Sequence, residues 1–241
     1  MKHPTRTLLA SCLIALLAVT AATAQEKSVK PGINKSFQNP DVANFVERFE
    51  REGREVYDKR EQIVAACGLK PGMAIADIGA GTGMFTRLMA RKVGPRGRVY
   101  AVDIARNFVS HVEKTSRKQG LKNVVGVVCK ADDCTLPPGS VDVVFICDTY
   151  HHFEFPTKTM RSIHRALRPG GKLVLIDFKR VKGVSSKWIL GHVRAGQEVF
   201  VKEVQATGFR QASESKLLKD NYFVRFEKLE SNRNGKKPAG R

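Results

Sequence analysis

A chain of 241 residues has room for one domain with short extensions. Its 42% apolar residues are enough for a single core, and its 27% charged residues are ordinary for a soluble protein. The formal net charge of +19 is unusual, but the basic residues are scattered and form no arginine-rich or aromatic-interleaved run. A solvated basic surface with non-specific attraction to anionic envelope surfaces is therefore expected, and no specific nucleic-acid site.

In chain order, the first feature is an export pattern. Lys2 and Arg6 precede an apolar run from Leu8 to Val19, and Ala22-Thr23-Ala24 supplies an A-x-A cleavage site before Gln25. The run is shorter than the roughly 20 residues that span a bilayer, so cleavage and release to the periplasm or medium is expected over a membrane-anchored form. Leu9-Ala10-Ser11-Cys12 fits a lipoprotein site poorly, because most of the apolar run follows Cys12. Export permits disulfides. Cys67, Cys129, Cys134 and Cys147 nevertheless read as free thiols, and their spacings match no zinc pattern. No metal is expected.

Residues 25–40 are polar, with Pro31-Gly32 and Asn39-Pro40 as breakers, and read as a linker. From Asp41, a plausible N-cap, to Cys67 the apolar spacing is helical, with Gly53 as a break. This segment, 41–68, predicts a helical lid. Strands and helices then alternate. Strands are expected at Met73–Ile78, Arg98–Val102, Val124–Cys129, Val141–Cys147 and Lys172–Phe178. Helices are expected at Met84–Lys92, Ala105–Gln119 and Thr157–Leu167, and Arg168-Pro169-Gly170-Gly171 forms a turn. Near-continuous apolar strands alternating with helices predict a doubly wound, mainly parallel α/β sheet, Rossmann-like, with helices on both faces. A helix at about Ala195–Thr207 precedes Phe209–Leu217 and Tyr222–Lys228, which can form an antiparallel hairpin at the sheet edge. The tail from Ser231 is polar and basic and is expected to be disordered.

The chemistry concentrates where the first strand meets its helix. Asp77-Ile78-Gly79-Ala80-Gly81-Thr82-Gly83 places glycines where a backbone must turn sharply and approach a ligand. Asp103 ends the second strand, where a carboxylate can accept both hydroxyls of a ribose. A dinucleotide fingerprint, G-x-G-x-x-G, would need its third glycine at Met84. Here the third glycine comes early and an acid precedes the turn.

With these residues, 69–178 resembles the class I S-adenosylmethionine-dependent methyltransferases of the small-molecule type. The resemblance implies a seven-stranded sheet, S-adenosylmethionine as cofactor and a small-molecule methyl acceptor. It implies that Asp77, Gly79, Ala80, Gly81 and Gly83 contact the methionine part, and that Asp103 and Ile104 hold the ribose. Asp132 and Asp133, before Leu136-Pro137, would hold the adenine amino group, and Asp148 would line the pocket near the methionine amine. Val141-Asp142-Val143-Val144-Phe145 resembles the fourth strand, and Leu167-Arg168-Pro169-Gly170-Gly171-Lys172-Leu173 the turn into the fifth. An Asn-Pro-Pro-Tyr-like run, typical of nucleic-acid methyltransferases, does not follow strand four.

The acceptor end is expected at Cys147-Asp148-Thr149-Tyr150-His151-His152-Phe153. The sulfonium methyl is already activated, so positioning supplies most of the acceleration. A hydroxyl or thiol acceptor also needs a base, and His151 and His152 stand where one would lie; a structural role as a cap or packing group is the alternative. Tyr150, Trp188, His192 and Arg194 are candidates for the substrate pocket, Tyr150 otherwise for the core. Arg54 or Tyr57 could close over the cofactor; a solvated helix face is the plainer reading of that charged segment. Two other functions compete: an exported module that binds the cofactor without transfer, and a nicotinamide-dependent oxidoreductase. The location raises its own question, since S-adenosylmethionine is made in the cytosol.

Overall fold

The computed structural model describes residues 27–230. The expected export signal, Cys12 and the basic tail from Ser231 lie outside them. The β-strands are β1 (Ala74–Ile78), β2 (Arg98–Asp103), β3 (Val124–Val128), β4 (Val141–Cys147), β5 (Leu167–Phe178), β6 (Phe209–Ser215) and β7 (Asn221–Lys228). They form one seven-stranded sheet in the order β3-β2-β1-β4-β5-β7-β6. The first five strands pair in parallel, and β7 runs antiparallel to both β5 and β6. The chain reverses its winding between β1 and β4, and a crevice opens beyond the carboxyl ends of strands at such a point.

Strand β4 shows why its sequence is apolar throughout. Successive side chains point to opposite faces of a sheet. Val144 and Ile146 enter one buried layer, with Ile78, Leu175 and Val224. Val143 and Phe145 enter the other, with Ile75, Val174 and Phe223. Helices α6 (Pro156–Ala166) and α8 (Gln197–Gln205) cover the first face. Helices α3 (Arg60–Ala66) and α4 (Met84–Val93) cover the second, while α5 (Arg106–Lys118) packs on β2 and β3.

The N-terminal helical segment is three pieces, α1 (Val42–Phe49), α2 (Glu55–Asp58) and α3. The break falls at Gly53, whose φ of +83° suits glycine. Asp41 caps α1 by accepting from the Ala43 amide at 3.1 Å. Three details differ from expectation. The run Arg168–Gly171 lies within the bounds of β5, where pairing jumps from Val141↔Leu167 to Val143↔Lys172 and the intervening residues bulge out. A short helix α7 (Lys187–His192), capped by the Ser186 hydroxyl, precedes α8. Residues 27–40, expected as a linker, are tied down: the Val29 amide donates to the Glu154 carbonyl at 2.9 Å, and the Lys30 ammonium reaches the Gly191 carbonyl at 3.2 Å.

Candidate functional site

A cavity of about 600 Å³ opens beyond the carboxyl ends of β1, β2 and β4. At one end its wall is the turn after β1, with Asp77, Gly79, Ala80, Gly81 and Thr82, joined by Asp103 and Ile104 after β2. Gly79 has φ +72°, and a Cβ there would come within 2.2 Å of Thr149 after β4, so glycine lets β1 and β4 approach. Gly83 is not in the wall. It starts α4 with φ +80° and packs against Val112 of α5, a structural role.

Both acids of the turn are buried. Asp77 accepts from the Thr86 hydroxyl at 2.5 Å. Burial is the largest cause of a rise of its carboxyl to about 7, with the nearby Asp103 charge adding to it. Asp103 braces the turn by accepting from the amides of Gly81 and Ala105, each at 2.9 Å. Its carboxyl is also raised, mainly by burial and against those amides. Two desolvated carboxylates beside a glycine turn suit a ligand that brings an ammonium group and ribose hydroxyls.

The adenine candidates separate. Asp133 lies in the wall, where it also accepts from the Thr135 amide and pairs with Arg165 at 3.0 Å. Asp132 lies outside the wall and turns to Lys158 at 3.7 Å. Asp148 is in the wall with φ +50°, and Arg54 (2.7 Å) and Asn221 (2.5 Å) hold its carboxylate. Burial raises the Asp148 carboxyl, while the Arg54 charge opposes that rise.

Of the two expected lid residues, Arg54 lines the cavity, with its guanidinium 5.0 Å from the centre of the Phe49 ring. Tyr57 does not line it and instead carries Arg60 stacked at 4.2 Å. The lid proper is aromatic. Phe37, Phe45 and Phe49 pack with Phe108 of α5, and a 2.9 Å ion pair between Glu50 and Arg87 fastens the end of α1 to α4.

The far end of the wall holds His151, His152, Phe178, Trp188 and His192. A 3-10 turn spans Tyr150–His152, and with three residues per turn successive side chains diverge. Both His151 and His152 reach the cavity, whereas Tyr150 points into the core, contrary to a substrate role. Its hydroxyl donates to Glu203 at 3.0 Å, and burial raises it well above the ordinary value. Arg194, the other substrate candidate, also lies behind the wall. It forms a two-pronged pair with the same Glu203 (2.8 and 2.5 Å), its guanidinium over the Phe200 ring. Trp188 is 54% exposed at the cavity mouth and stacks on His192 with centroids 4.6 Å apart.

Three residues that sequence reasoning passed over organise this end. Asp177 of β5 is fully buried, and its two oxygens take His151 Nδ1 (2.8 Å) and the His151 amide (3.1 Å). The signal existed, since Asp177 ends a parallel strand at the ligand-binding edge. Asn34, from the supposed linker, faces His152 Nδ1 at 3.2 Å, and Lys30 donates to the His192 carbonyl. Nothing local marks either one. His152 is pushed down to about 2 and His192 to about 4, first by burial and then by the neighbouring imidazoles. The four cysteines among the described residues are free thiols, and burial pushes Cys67 and Cys129 up to about 12.

A family described as "Methyltransferase domain" matches residues 69–222. A ubiquinone/menaquinone biosynthesis C-methyltransferase from Hydrogenovibrio crunogenus is 31% identical over 156 residues, 64% of this chain and 60% of that one. One of the same description from Vibrio parahaemolyticus is 32% identical over 114 residues, 47% of this chain and 44% of that one. The chain thus spans about half the length of these curated relatives. A crystal structure described as a SAM-dependent methyltransferase from Aquifex aeolicus superposes with a TM-score of 0.70 at 26% identity, covering 79% of this chain and all of that one. On the matched span and its sheet order, the chain belongs to the methyltransferase-domain family.

Proposed function

We propose that the protein is an S-adenosylmethionine-dependent methyltransferase acting on a small-molecule acceptor. The observation that carries this reading is one continuous cavity. It runs from the Asp77–Gly81 turn and Asp103 to the histidine end, in a domain of the methyltransferase family. The names of the Hydrogenovibrio and Aquifex relatives support the cofactor and a small acceptor. S-adenosylmethionine supplies, when bound, a methyl group on an electrophilic sulfonium. The chain supplies position and a dry site. Asp77 would hold the cofactor ammonium, Asp103 the ribose hydroxyls and Asp133 the adenine side, with Arg54 and Asp148 beside the methionine end. Phe37, Phe45 and Phe49 exclude water from above. Asp177 holds the His151 ring by its Nδ1 at 2.8 Å and so fixes its orientation at the acceptor end.

The oxidoreductase alternative would need glycine where Met84 is buried at the start of α4. Calorimetry decides between the cofactors. S-adenosylmethionine is expected to bind and NAD not to. Asp103→Asn, which keeps the side-chain shape, is expected to weaken binding about 10–150-fold, since a hydrogen bond to a charged group is worth roughly 1.5–3 kcal/mol. Binding of NAD alone overturns the proposal. S-adenosylhomocysteine released in the presence of an envelope extract marks transfer; cofactor binding with no release from any extract or metabolite pool favours the non-catalytic module.

Export is a further part of the proposal. Lys2, Arg6, the run Leu8–Val19 and Ala22-Thr23-Ala24 support cleavage before Gln25 and action in the periplasm or medium.

A further inference from the structure

The three histidines at the acceptor end come from two distant parts of the chain, the turn after β4 and the end of α7. One ring nitrogen from each lies within 4.8 Å of those of the other two. The surrounding hydrogen bonds fix which nitrogens are free. Asp177 accepts from His151 Nδ1 at 2.8 Å, which leaves Nε2 with a bare lone pair. Asn34 gives its amide hydrogens to the His152 carbonyl and the Glu154 carboxylate, so its Oδ1 accepts from His152 Nδ1. His152 Nε2 is therefore also bare, and it points at His192 Nε2, 3.3 Å away. Two ring nitrogens at this separation share either a proton or a cation. A tetrahedral ion with Zn–N bonds of about 2.0–2.1 Å has nitrogen–nitrogen edges of about 3.3–3.4 Å.

We propose that His151, His152 and His192 bind a divalent transition-metal ion of the zinc class, with a fourth position open to the cavity for a hydroxyl or thiol of the methyl acceptor. Three histidines with one open position is the donor set of a catalytic rather than a structural zinc site. Asp177 and Asn34 orient two of the ligands, as carboxylates and amides around metal sites do. Trp188 stacks on His192 and Phe37 meets His152 edge-on, which restricts both rings. The Lys30 ammonium, bonded to the Gly191 and His192 carbonyls, opposes a cation here, and the Asp177 carboxylate offsets it.

The acceptor chemistry rests on the methyltransferase reading; the metal site does not. On coordination the acceptor O–H or S–H loses its proton to solvent, because a bound cation lowers its pKa. The acceptor heteroatom then forms its bond to the methyl carbon as the S–CH3 bond breaks, and the sulfonium sulfur keeps the electron pair. No oxidant or reductant is needed. An imidazole whose lone pair is on the metal is not a base, so this site takes the place of the single histidine base expected from the sequence.

The test is cobalt(II) titration of untagged, metal-stripped full chain without S-adenosylmethionine. One equivalent is expected to bind with the intense visible bands of tetrahedral cobalt, and zinc is expected to displace it. Asp177→Asn should weaken binding about 10–100-fold, the usual effect of removing a ligand's hydrogen-bond partner. His192→Ala should weaken it more than that. His192 is half-buried on a short helix, so this variant keeps the core intact even if Asp177→Asn fails to fold. Sub-stoichiometric cobalt, or equal affinity in His192→Ala, overturns the site and leaves the 3.3 Å contact as a hydrogen bond. Cobalt binding without S-adenosylmethionine binding keeps the metal site and removes the proposed acceptor role.

Discussion

At the scale of single residues, Asp77 shows what burial does to an acid. Its neighbours are the Thr86 hydroxyl, which lowers its carboxyl, the Asp103 charge, which raises it, and Arg87, which lowers it; burial outweighs them and leaves it at about 7. The folded chain therefore holds this proton more tightly than the unfolded chain, whose value is near the usual 3.9. Between those limits the folded state binds more protons, so its stability is greatest at the acid end and falls as pH rises to about 7. Asp103 and Asp148 are raised as well and act in the same sense. His111, His152, His164 and His192, all lowered by burial, act in the opposite sense up to about pH 6.5, so Asp77 is read by difference: the stability of the ligand-free chain relative to Asp77→Asn is expected to fall from pH 5 to pH 7.5, and equal slopes would remove Asp77 as a source. The affinity for S-adenosylmethionine should run the other way and rise through pH 7 as Asp77 ionises opposite the ammonium, which calorimetry at several pH values measures. Asp77 and Asp103 were legible in the sequence because each ends a strand at a fixed distance from a glycine turn. Tyr150 takes the core position that the sequence left open beside a substrate role, and Arg194, expected at the substrate pocket, lies behind the wall; position after a strand does not report which way either side chain turns. Glu203, the partner of both, lies 53 positions from Tyr150 and nine from Arg194.

At the scale of elements, the turn into α4 depends on conformation as much as on composition. Gly83 sits at φ +80°, and a Cβ there would come within 2.6 Å of Val112. A left-handed non-glycine residue costs about 1–2 kcal/mol, and crowding a packed core about 1–3 kcal/mol. Gly83→Ala is therefore expected to lose about 2–5 kcal/mol of stability, read as a lower denaturation midpoint at unchanged slope. A loss under about 1 kcal/mol would mean that α5 shifts freely away from α4. The alternation of strands and helices was readable because period-2 and period-3.6 patterns are local. The strap at residues 27–40 was not. Its polar, proline-broken sequence carries no pattern, and its order comes from Ser28, Lys30 and Asn34 bonding to groups about 120–160 positions away.

At the scale of the whole molecule, the net charge of +19 and the N-terminal pattern bear on where the protein works, and neither enters the fold. Expression in a secretion-competent bacterium, followed by fractionation and mass spectrometry of the N-terminus, is expected to give a mature chain beginning at Gln25. A chain retained in the cytosol with Met1 or Lys2 at its start would refute export and place the protein where S-adenosylmethionine is made. The sequence by itself determined the alternating strands and helices of the parallel half, the glycine turn and the acids at the ends of β1 and β2, because each is encoded within a few residues. Only the tertiary structure decided which of Asp132 and Asp133 faces the cavity, that Tyr150 and Arg194 are internal, and that His151, His152 and His192 converge with Asp177 and Asn34. Those groups lie on separate elements, and no spacing rule along the chain reports a distance that exists only after the sheet has wound.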